Sequence, residues 1–434
     1  MAYRTASFGA YLRLVRGNRN FRLLWLAQII SEQGDWLYAV AVYSLLLEFT
    51  GSAKYVAVAF VLQVLPQFFV SPAAGLINDR LSRKKVMIFA DCTRAVIVLS
   101  MVLARTPQFV WLLYALLFLE TVLWAMFEPA RSAVIPNIVE PSDLIVANTL
   151  SSTTWSFNFA MGFAAGGVLA AFFGRDTVFV LNALSFVGSA LLTARMKFTE
   201  PHAENLPPLK ARDLVDFSPI REGIRYVRQH PQLKTTILVK AGNGLLGANW
   251  VLLPIFGERI FAVNRAGFSQ QQAGMLGMSL LMACRGVGAI IGPVISGYWA
   301  AGKEKRMRLG ILLGYLAGTA GYLMLGHAPG LAMACAGIII AHAGGSTLWV
   351  FSSTLLQLHT EDRFRGRVFS AEWAFSVVTM SVSSYTAGVL VDRGVPVATV
   401  ASVIGYCVLL PAVLWAAALR QLRSAPVAEL LPRR

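Results

Sequence analysis

Residues 55–85 read YVAVAFVLQVLPQFFVSPAAGLINDRLSRKK, an apolar run that ends in a short basic turn. The next apolar run begins at once, at Val86. An α-helix needs about 20 mostly apolar residues to cross the hydrocarbon core of a bilayer. The stretch therefore predicts one membrane-spanning helix, a tight basic loop and the start of a second spanning helix.

The same alternation of apolar run and polar loop extends along the whole chain. Runs of spanning length begin near Arg22, Tyr55, Val86, Phe109, Leu144, Thr177, Leu233, Gln271, Leu309, Leu331, Val368 and Val395. The longest break between them, residues 196–232, is rich in charge and proline. We therefore predict an all-α polytopic membrane protein with twelve transmembrane helices, six in residues 1–195 and six in 233–434, joined by a cytoplasmic linker.

The composition of the 434 residues excludes other classes of protein. Hydrophobic residues make up 56% and charged residues only 14%, whereas soluble domains usually carry about 25% charged residues. The net charge of +16 does not indicate a nucleic-acid-binding protein, because the basic residues lie in loops between apolar runs. A β-barrel is not expected, since the runs are continuous rather than alternating. The four cysteines lie singly, so no disulfide, metal site or cofactor is predicted.

The Lys and Arg residues indicate the orientation. Most of the 38 fall at the two termini and in every second loop, and few fall in the intervening loops. Because cytoplasmic loops are enriched in Lys and Arg, both termini are expected in the cytoplasm. The first apolar run is too long for the core of a signal peptide and has no small-residue cleavage site after it, so it is expected to remain as a span.

A short amphipathic helix is predicted within the linker. Ser218 is a suitable N-cap and Pro219 suits the first helical position. Ile220, Ile224 and Val227 share one face, and arginines surround that face. The pattern predicts a helix on the cytoplasmic surface. A regulatory role and a role as a connector pressed against the helical bundle both stay open.

The loop between the second and third runs resembles a known signature. Gly75–Lys85, GLINDRLSRKK, is similar to the G-x-x-x-D-R-x-G-R-R/K loop of the major facilitator superfamily, with Ser82 in place of the usual glycine. The resemblance implies two six-helix bundles and transport of a small molecule by alternating access. It also implies a role in the conformational switch for Gly75, Asp79, Arg80 and Arg83, whose loop would latch near span eleven.

Three further segments resemble the drug-exporter branch that includes macrolide efflux proteins and the enterobactin exporter. They are residues 20–25 (NFRLLW) with 34–36 (GDW), residues 129–136 (PARSAVIP), and residues 365–370 (RGRVFS). The resemblance implies a secondary exporter of an amphipathic organic molecule, of drug or siderophore type, driven by proton antiport in a bacterial inner membrane. A lipid flippase or a solute importer is the alternative. The fifth span, GFAAGG at 162–167, lacks the proline that exporters often carry there.

Polar residues in the first span are candidates for proton coupling. Gln28, Glu32 and Asp35 follow one another at i, i+4 and i+7 and so share a helix face. Two nearby carboxylates in a bilayer do not both ionise cheaply, so one of them is expected to hold a proton near neutral pH. We predict that Asp35, which matches the family pattern, and Glu32 carry protons. Structural pairing with a cation and direct contact with substrate stay open.

Four tryptophans lie deep in spans one, four, seven and ten, the spans that line the cavity in the proteins this chain resembles. Aromatic walls suit a bulky, partly apolar ligand. The predicted substrate cavity comprises Gln28, Trp36, Gln63, Gln67, Glu120, Trp124, Lys240, Asn243, Trp250, Arg285, His342 and Trp349.

Several of these assignments have alternatives. Glu120 fits either substrate contact or structural pairing, and His342 either a packed core histidine or a proton relay. Lys240 or Arg285 is available to neutralise a buried acid, but the sequence does not assign the pairs. Asp91 and Arg94, at i and i+3, are expected to neutralise each other.

The predicted partners are a small-molecule substrate, protons and lipid, with no nucleic acid, and the chain is expected to be a monomer. Because neither H-E-x-x-H nor G-x-S-x-G occurs, a polytopic enzyme is not expected. No P-loop occurs either, so the sequence carries no sign of an ATPase of its own.

Overall fold

The computed structural model describes residues 8–200, 218–301, 303–360 and 362–424, and within these ranges it contains helices and no strand. The helices are α1 (Phe8–Gly17), α2 (Arg19–Thr50), α3 (Ala53–Arg80), α4 (Arg83–Ser100), α5 (Val110–Ile138), α6 (Leu144–Phe173), α7 (Arg175–Ala194), α8 (Ser218–Gln229), α9 (Pro231–Thr236), α10 (Val239–Asn243), α11 (Asn249–Ile255), α12 (Gln270–Ala300), α13 (Glu304–Gly326), α14 (Leu331–His359), α15 (Asp362–Asp392), α16 (Val397–Cys407) and α17 (Leu409–Ser424).

The helical spans confirm the predicted fold class. Among the described residues, 11 helical segments are long and apolar enough to cross a membrane, and each coincides with one predicted run. The remaining predicted run is α2, whose 32 residues extend over about 48 Å. Its polar residues make it less apolar than the others, but its length suffices for a span. The chain is therefore a multi-pass helical membrane protein.

Local capping explains where the first spans begin and end. Asn18 accepts a hydrogen bond from the backbone N–H of Phe21 at 2.9 Å and so caps α2. Gly51 ends that helix in a left-handed conformation, with φ of 61°. Ser82 caps α4 through the N–H of Lys85, with φ of −60°. Because this φ suits any residue, the turn in the signature loop does not need the glycine that Ser82 replaces.

The chain forms two compact units. Among the described residues, unit 1 comprises 8–51, 62–200 and 264–279, and unit 2 comprises 52–61, 218–263 and 280–424. Two helices, α3 and α12, contribute one end to each unit. The predicted boundaries at 195 and 232 stay a prediction.

In unit 1, glycines allow α2 to lie close to α6 and α7. A Cβ on Gly166 would lie 2.6 Å from the carbonyl oxygen of Leu37, and a Cβ on Gly34 would collide with the side chains of Asn182 and Ser185. The glycines of the fifth span, where exporters often have a proline, therefore permit close packing of helices.

In unit 2, the seventh span is broken. Between Leu233 and Ile260 it changes from α9 and α10 to a 3-10 turn (Gly244–Ala248), then to α11 and a π turn (Phe256–Ile260). Such a break weakens the regular hydrogen bonding of the backbone, which is costly in a bilayer. Hydroxyl groups on α13 and α15 supply further donors to four carbonyls of the span: Tyr315 to Val239 at 2.7 Å, Tyr322 to Leu246 at 3.0 Å, Ser383 to Leu245 at 2.5 Å and Ser384 to Gly247 at 2.8 Å.

The predicted linker helix is present as α8. Its Tyr226 and Val227 are buried in an apolar cluster with residues of the tenth and eleventh spans, including Leu356 and Val368. A Cβ on Gly223 would overlap the backbone carbonyl of Arg367. The helix therefore packs within unit 2, and the side chain of Ile220 lies outside the described residues.

Candidate functional site

A buried arginine joins three spans of unit 1. Arg94 on α4 donates from Nη2 to both oxygens of Asp35 on α2, at 2.9 and 2.8 Å. It also donates to Glu120 Oε1 on α5, at 2.8 Å from Nε and 2.6 Å from Nη2. Asp91, one turn earlier on α4, lies 3.6 Å from Nη1. We call Arg94 with these three acids the Arg94 cluster.

Packing holds the Arg94 cluster away from solvent. Arg94 is 0% exposed, and its guanidinium carbon lies 4.1 Å from the ring centroid of Phe186 on α7. Tyr38, one turn from Asp35, donates its hydroxyl to Glu120 Oε2 at 3.4 Å. Aromatic groups and hydrogen bonds thus fix the charged groups, as a buried ion pair requires.

The charges of the Arg94 cluster do not balance. In the part of the chain that the structure describes, Arg94 is the one cation within ion-pair distance of Asp35, Asp91 and Glu120. The exposed fraction of the side chain differs among the acids, at 16% for Asp35, 7% for Glu120 and 0% for Asp91. Asp35 is therefore the least buried of the three acids.

A second polar cluster surrounds Glu32. Gln28 donates to Glu32 Oε1 at 2.9 Å, and Asn158 on α6 donates to Oε2 at 3.2 Å. Arg131 on α5 donates to Gln28 Oε1 at 3.0 Å and is itself paired with Glu128 at 2.5 Å. The amide of Gln28 thus connects the carboxylate of Glu32 to the Arg131–Glu128 ion pair, and we call these five residues the Glu32 cluster.

Glu32 and Asp35 belong to different clusters, although the sequence places them on one face. Glu32 is held by two amides, whereas Asp35 is held by a guanidinium. The three residues predicted to share a face therefore have different partners. Gln28 and Glu32 belong to the Glu32 cluster, and Asp35 belongs to the Arg94 cluster.

Trp36 packs into an aromatic cluster with α6. Its ring lies 5.6 Å from that of Trp155, 4.7 Å from that of Phe159 and 5.7 Å from that of Phe163. Trp36 is half-buried there, and Trp124 on α5 is also half-buried.

Unit 2 contains a buried ion pair that lies against aromatic rings. Lys240, in the broken seventh span, lies 2.8 Å from Glu372 on α15. Its Nζ also lies 4.4 Å from the ring centroid of Trp349 on α14. Lys240 and Glu372 are 5% and 1% exposed, so each charge depends on the other for stabilisation.

A second cation of unit 2 lies on a stack of aromatic rings. The guanidinium of Arg285 on α12 is 4.4 Å from the ring of Trp250, and that ring stacks on Phe60 at 5.1 Å. His342 on α14 is buried, and its Nε2 has no hydrogen-bond partner among the described residues.

The other predicted polar residues have separate surroundings. Gln63 accepts a hydrogen bond from Tyr43 at 2.7 Å, and Gln67 donates to the carbonyl of Gln63 at 2.7 Å. Asn243 lies beside Gly345, where a Cβ would be 3.0 Å from its side-chain oxygen. The structure therefore places Gln63 and Gln67 together on α3, with Tyr43 as the partner of Gln63.

Two of the predicted switch residues have defined surroundings. Arg83 donates to the carbonyl of Ala133 at 3.0 Å and to that of Asn78 at 3.3 Å, which ties the signature loop to α5. Gly75 lies within α3, where a Cβ would meet nothing within 4 Å. Arg80 is the last residue of α3. The side chain of Asp79 lies outside the described residues.

Sequence reasoning assigned no role to Asn158, Arg131 or Glu372, and it gave Arg94 only Asp91 as a partner. Asn158 and Arg131 hold the Glu32 cluster, and Glu372 neutralises Lys240. Arg94, expected to pair with Asp91, makes its shorter contacts with Asp35 and Glu120. The signal was present in each case, because each is a polar or charged residue inside an apolar run.

Comparison with known proteins agrees with this architecture. A family model described as transmembrane secretion effector matches residues 15–433. The uncharacterized MFS-type transporter YfiS of Bacillus subtilis strain 168 is 28% identical over 399 residues, 87% of this chain and 88% of the relative. Macrolide efflux protein A of Streptococcus pyogenes is 27% identical over 223 residues, 50% of this chain and 54% of the relative.

The backbone also matches that of solved transporters. The crystal structure of the nucleoside transporter NupG superimposes with a TM-score of 0.70 at 11% sequence identity, over 92% of this chain and 98% of that one. At this identity the match concerns the fold alone.

Proposed function

Because this chain belongs to the transmembrane secretion effector family of the major facilitator superfamily, we propose that it is a secondary exporter of an amphipathic organic molecule, driven by proton antiport. Membership makes the chain a membrane transporter of a small molecule and not an enzyme. Beyond that membership, we propose the direction of transport, the class of cargo and the coupling ion. Both termini are proposed to lie in the cytoplasm of a bacterium, on the side of the basic loops.

The Arg94 cluster is the observation that carries proton coupling. One guanidinium serves three carboxylates, so the buried cluster has more acids than a single cation neutralises. A bound proton removes one of the excess charges, which is favourable because buried charges need compensation. Asp35 is the proposed site, because its side chain is the most exposed of the three acids.

Two partners for Arg94 make this exchange feasible. When Asp35 takes up a proton and leaves Arg94, Glu120 still holds the guanidinium at 2.6 Å. Protonation therefore breaks one ion pair without leaving an unpaired buried cation, which would cost about 3–5 kcal/mol. Asp35 is then free to separate from α4, and proton binding is coupled to a change in how α2 and α4 contact each other.

Glu32 is the proposed second proton site. Among the described residues it has two amide donors and no cation within ion-pair distance, so its protonation breaks hydrogen bonds rather than an ion pair. The link through Gln28 lets a change at Glu32 reach Arg131.

The proton gradient supplies enough free energy for export. One charge that crosses 100 mV releases about 2.3 kcal/mol. At about 1.36 kcal/mol per decade, that corresponds to roughly a fifty-fold cargo gradient.

Aromatic and cationic residues of unit 2 support an amphipathic cargo. Trp250 and Trp349 present broad apolar rings next to Arg285 and Lys240. Rings of this kind bind apolar bodies, and a cation close by orients a polar group. We propose that these four residues contact the cargo, together with the polar residues predicted for the cavity.

Comparison of secreted metabolites tests the export function. A deletion strain is complemented with the parental chain or with Asp35→Asn, and metabolites inside and outside the cells are compared without preselection. The proposal predicts a compound that rises inside and falls outside the deletion strain, and that only the parental chain restores. A compound that falls inside the deletion strain would instead show import, and an altered lipid composition alone would point to a flippase.

A further inference from the structure

The carboxylate that ends α15 lies at the first residues of α3. Asp392 Oδ1 accepts a hydrogen bond from the backbone N–H of Ala53 at 2.8 Å, and Oδ2 accepts one from the N–H of Lys54 at 3.0 Å. The hydroxyl of Ser52 also donates to Oδ2. All four residues belong to unit 2.

These contacts make Asp392 an N-cap supplied by another helix. The first N–H groups of a helix have no partner within it, and they carry a partial positive charge. A cap is normally a side chain next to the helix in sequence. Here the carboxylate comes from a residue about 340 positions away, so the cap forms only while the two helix ends touch.

The two helices are built to touch at this place. A Cβ on Gly388, one turn before Asp392, would lie 3.0 Å from the carbonyl oxygen of Ala53 and 3.1 Å from the Cα of Lys54. Only a glycine leaves room for the first turn of α3. Ala53 is accordingly 0% exposed.

The sequence around Asp392 repeats the pattern of the signature loop. Residues 388–393 read GVLVDR, and residues 75–80 read GLINDR, so both follow G-x-x-x-D-R. The first copy ends α3 and the second ends α15. Because the second and eleventh spans end on opposite sides of a twelve-span chain, the two aspartates lie on opposite sides of the membrane.

We propose that Asp392 is a second switch residue, which holds the first turn of α3 against α15 while the side opposite the basic loops is closed. The first turn of α3 belongs to unit 2 but the helix from Leu62 onward belongs to unit 1, so movement of α3 with unit 1 on opening separates the two helix ends and breaks the three contacts of the carboxylate. The cap therefore favours the closed state, because it exists in that state alone. The inference depends on alternating access and on neither the cargo nor the coupling ion of the proposed function.

Accessibility of the first turn of α3 tests this proposal. The four native cysteines, all free, are changed to serine, and Val56→Cys places one reporter where the side chain is 0% exposed. Protein in lipid nanodiscs is labelled with a charged maleimide, so both faces are accessible and no cargo or pH gradient is needed. A failure of proton coupling or export therefore leaves this result unaffected.

Asp392→Ala is expected to raise the labelling rate about fivefold, the effect of losing a typical N-cap. Asp392→Asn keeps an acceptor but loses the charge, so its rate should lie between those of the parental chain and the alanine variant. Arg393→Ala is the matched control, since Arg393 is the exposed neighbour of Asp392, and its rate should stay within about twofold of the parental rate.

Equal labelling in Asp392→Ala and the parental chain would overturn the proposal, and so would an equal rise in Arg393→Ala. If Asp392→Ala does not fold, the labelling rates of Asp392→Asn and Ser52→Ala provide the test. Ser52→Ala removes one of the three contacts and should raise the rate by less than Asp392→Ala does. Parental rates in both of these variants would exclude the cap as a switch.

Discussion

Nη2 of Arg94 lies 2.8 Å from Oδ2 of Asp35, and this contact joins the fourth helix of the chain to the second inside a buried cluster. The same nitrogen of Arg94 also holds Glu120 Oε1 at 2.6 Å. One cation therefore connects α2, α4 and α5. Removal of the cation and removal of one acid should have different consequences, because only the first leaves the cluster without a positive charge.

Arg94→Gln should destabilise the protein strongly. The change leaves Asp35, Asp91 and Glu120 without their shared cation, and removal of one partner of a buried pair costs about 3–5 kcal/mol. Thermal unfolding in detergent, followed by tryptophan fluorescence, measures the loss. Arg105→Gln is the control, because its ion pair with Asp176 is solvent-exposed and worth about 0–1 kcal/mol. Equal losses in the two variants would contradict the structural role of Arg94.

The Lys240–Glu372 pair should behave as a coupled unit. Glu372→Gln leaves a buried ammonium at Lys240, so a loss of about 3–5 kcal/mol is expected. Lys240→Met combined with Glu372→Met removes both charges and should be markedly less harmful than either single change. A double-mutant cycle on the unfolding temperature gives the coupling. Additive effects of the two single changes would show that the residues do not depend on each other.

Each hydroxyl group that donates to the broken seventh span should make its own contribution to the stability of the protein. Tyr322→Phe removes the hydroxyl that donates to the carbonyl of Leu246 at 3.0 Å, and Ser384→Ala removes the one that donates to Gly247 at 2.8 Å. Each change should cost about 0.5–1.5 kcal/mol, the net worth of one hydrogen bond, because both carbonyls still accept from Asn249. Thr379→Ala is the control, since its hydroxyl bonds within its own helix to Phe375. Stability unchanged in Tyr322→Phe and Ser384→Ala would contradict this role.

Gln28 should transmit changes between Glu32 and Arg131. Gln28→Leu keeps the size of the side chain but removes its hydrogen bonds to Glu32 and Arg131, at 2.9 and 3.0 Å, and a third to the carbonyl of Ser151 at 3.0 Å. Transport in proteoliposomes should fall in this variant, whereas Gln67→Leu, which removes one bond within α3, should retain activity. Parental transport in Gln28→Leu would separate the Glu32 cluster from the mechanism.

The spans could be predicted from the sequence because a helix surrounded by lipid needs an unbroken apolar run. The predicted first run also forms one continuous helix, α2, although its polar residues keep it outside the 11 segments that are apolar enough to cross a membrane. Cross-helix partners could not be predicted. The spacing of Asp91 and Arg94 shows that they are neighbours, but only the packing of α2, α4 and α5 shows that Arg94 lies closer to Asp35 and Glu120.

The break in the seventh span also escaped prediction, although glycines at 242, 244 and 247 indicated it. A glycine-rich run in a bilayer is compatible with a kink, a break or close packing of helices. The outcome depends on whether neighbouring helices supply further donors to the carbonyls of the span, as Tyr322 and Ser384 do here. That information lies in the packing of α13 and α15 and not in the span itself.

Proton movement through Asp35 is the central claim, and the most direct measurement is proton flux in sealed proteoliposomes under an imposed pH gradient. Purified parental protein with cargo should dissipate the gradient, and Asp35→Asn should abolish the cargo-dependent flux while it remains folded. Asp91→Asn, which changes an acid of the same cluster with a fully buried side chain, should retain that flux. Cargo-dependent proton flux at the parental rate in Asp35→Asn would contradict the account.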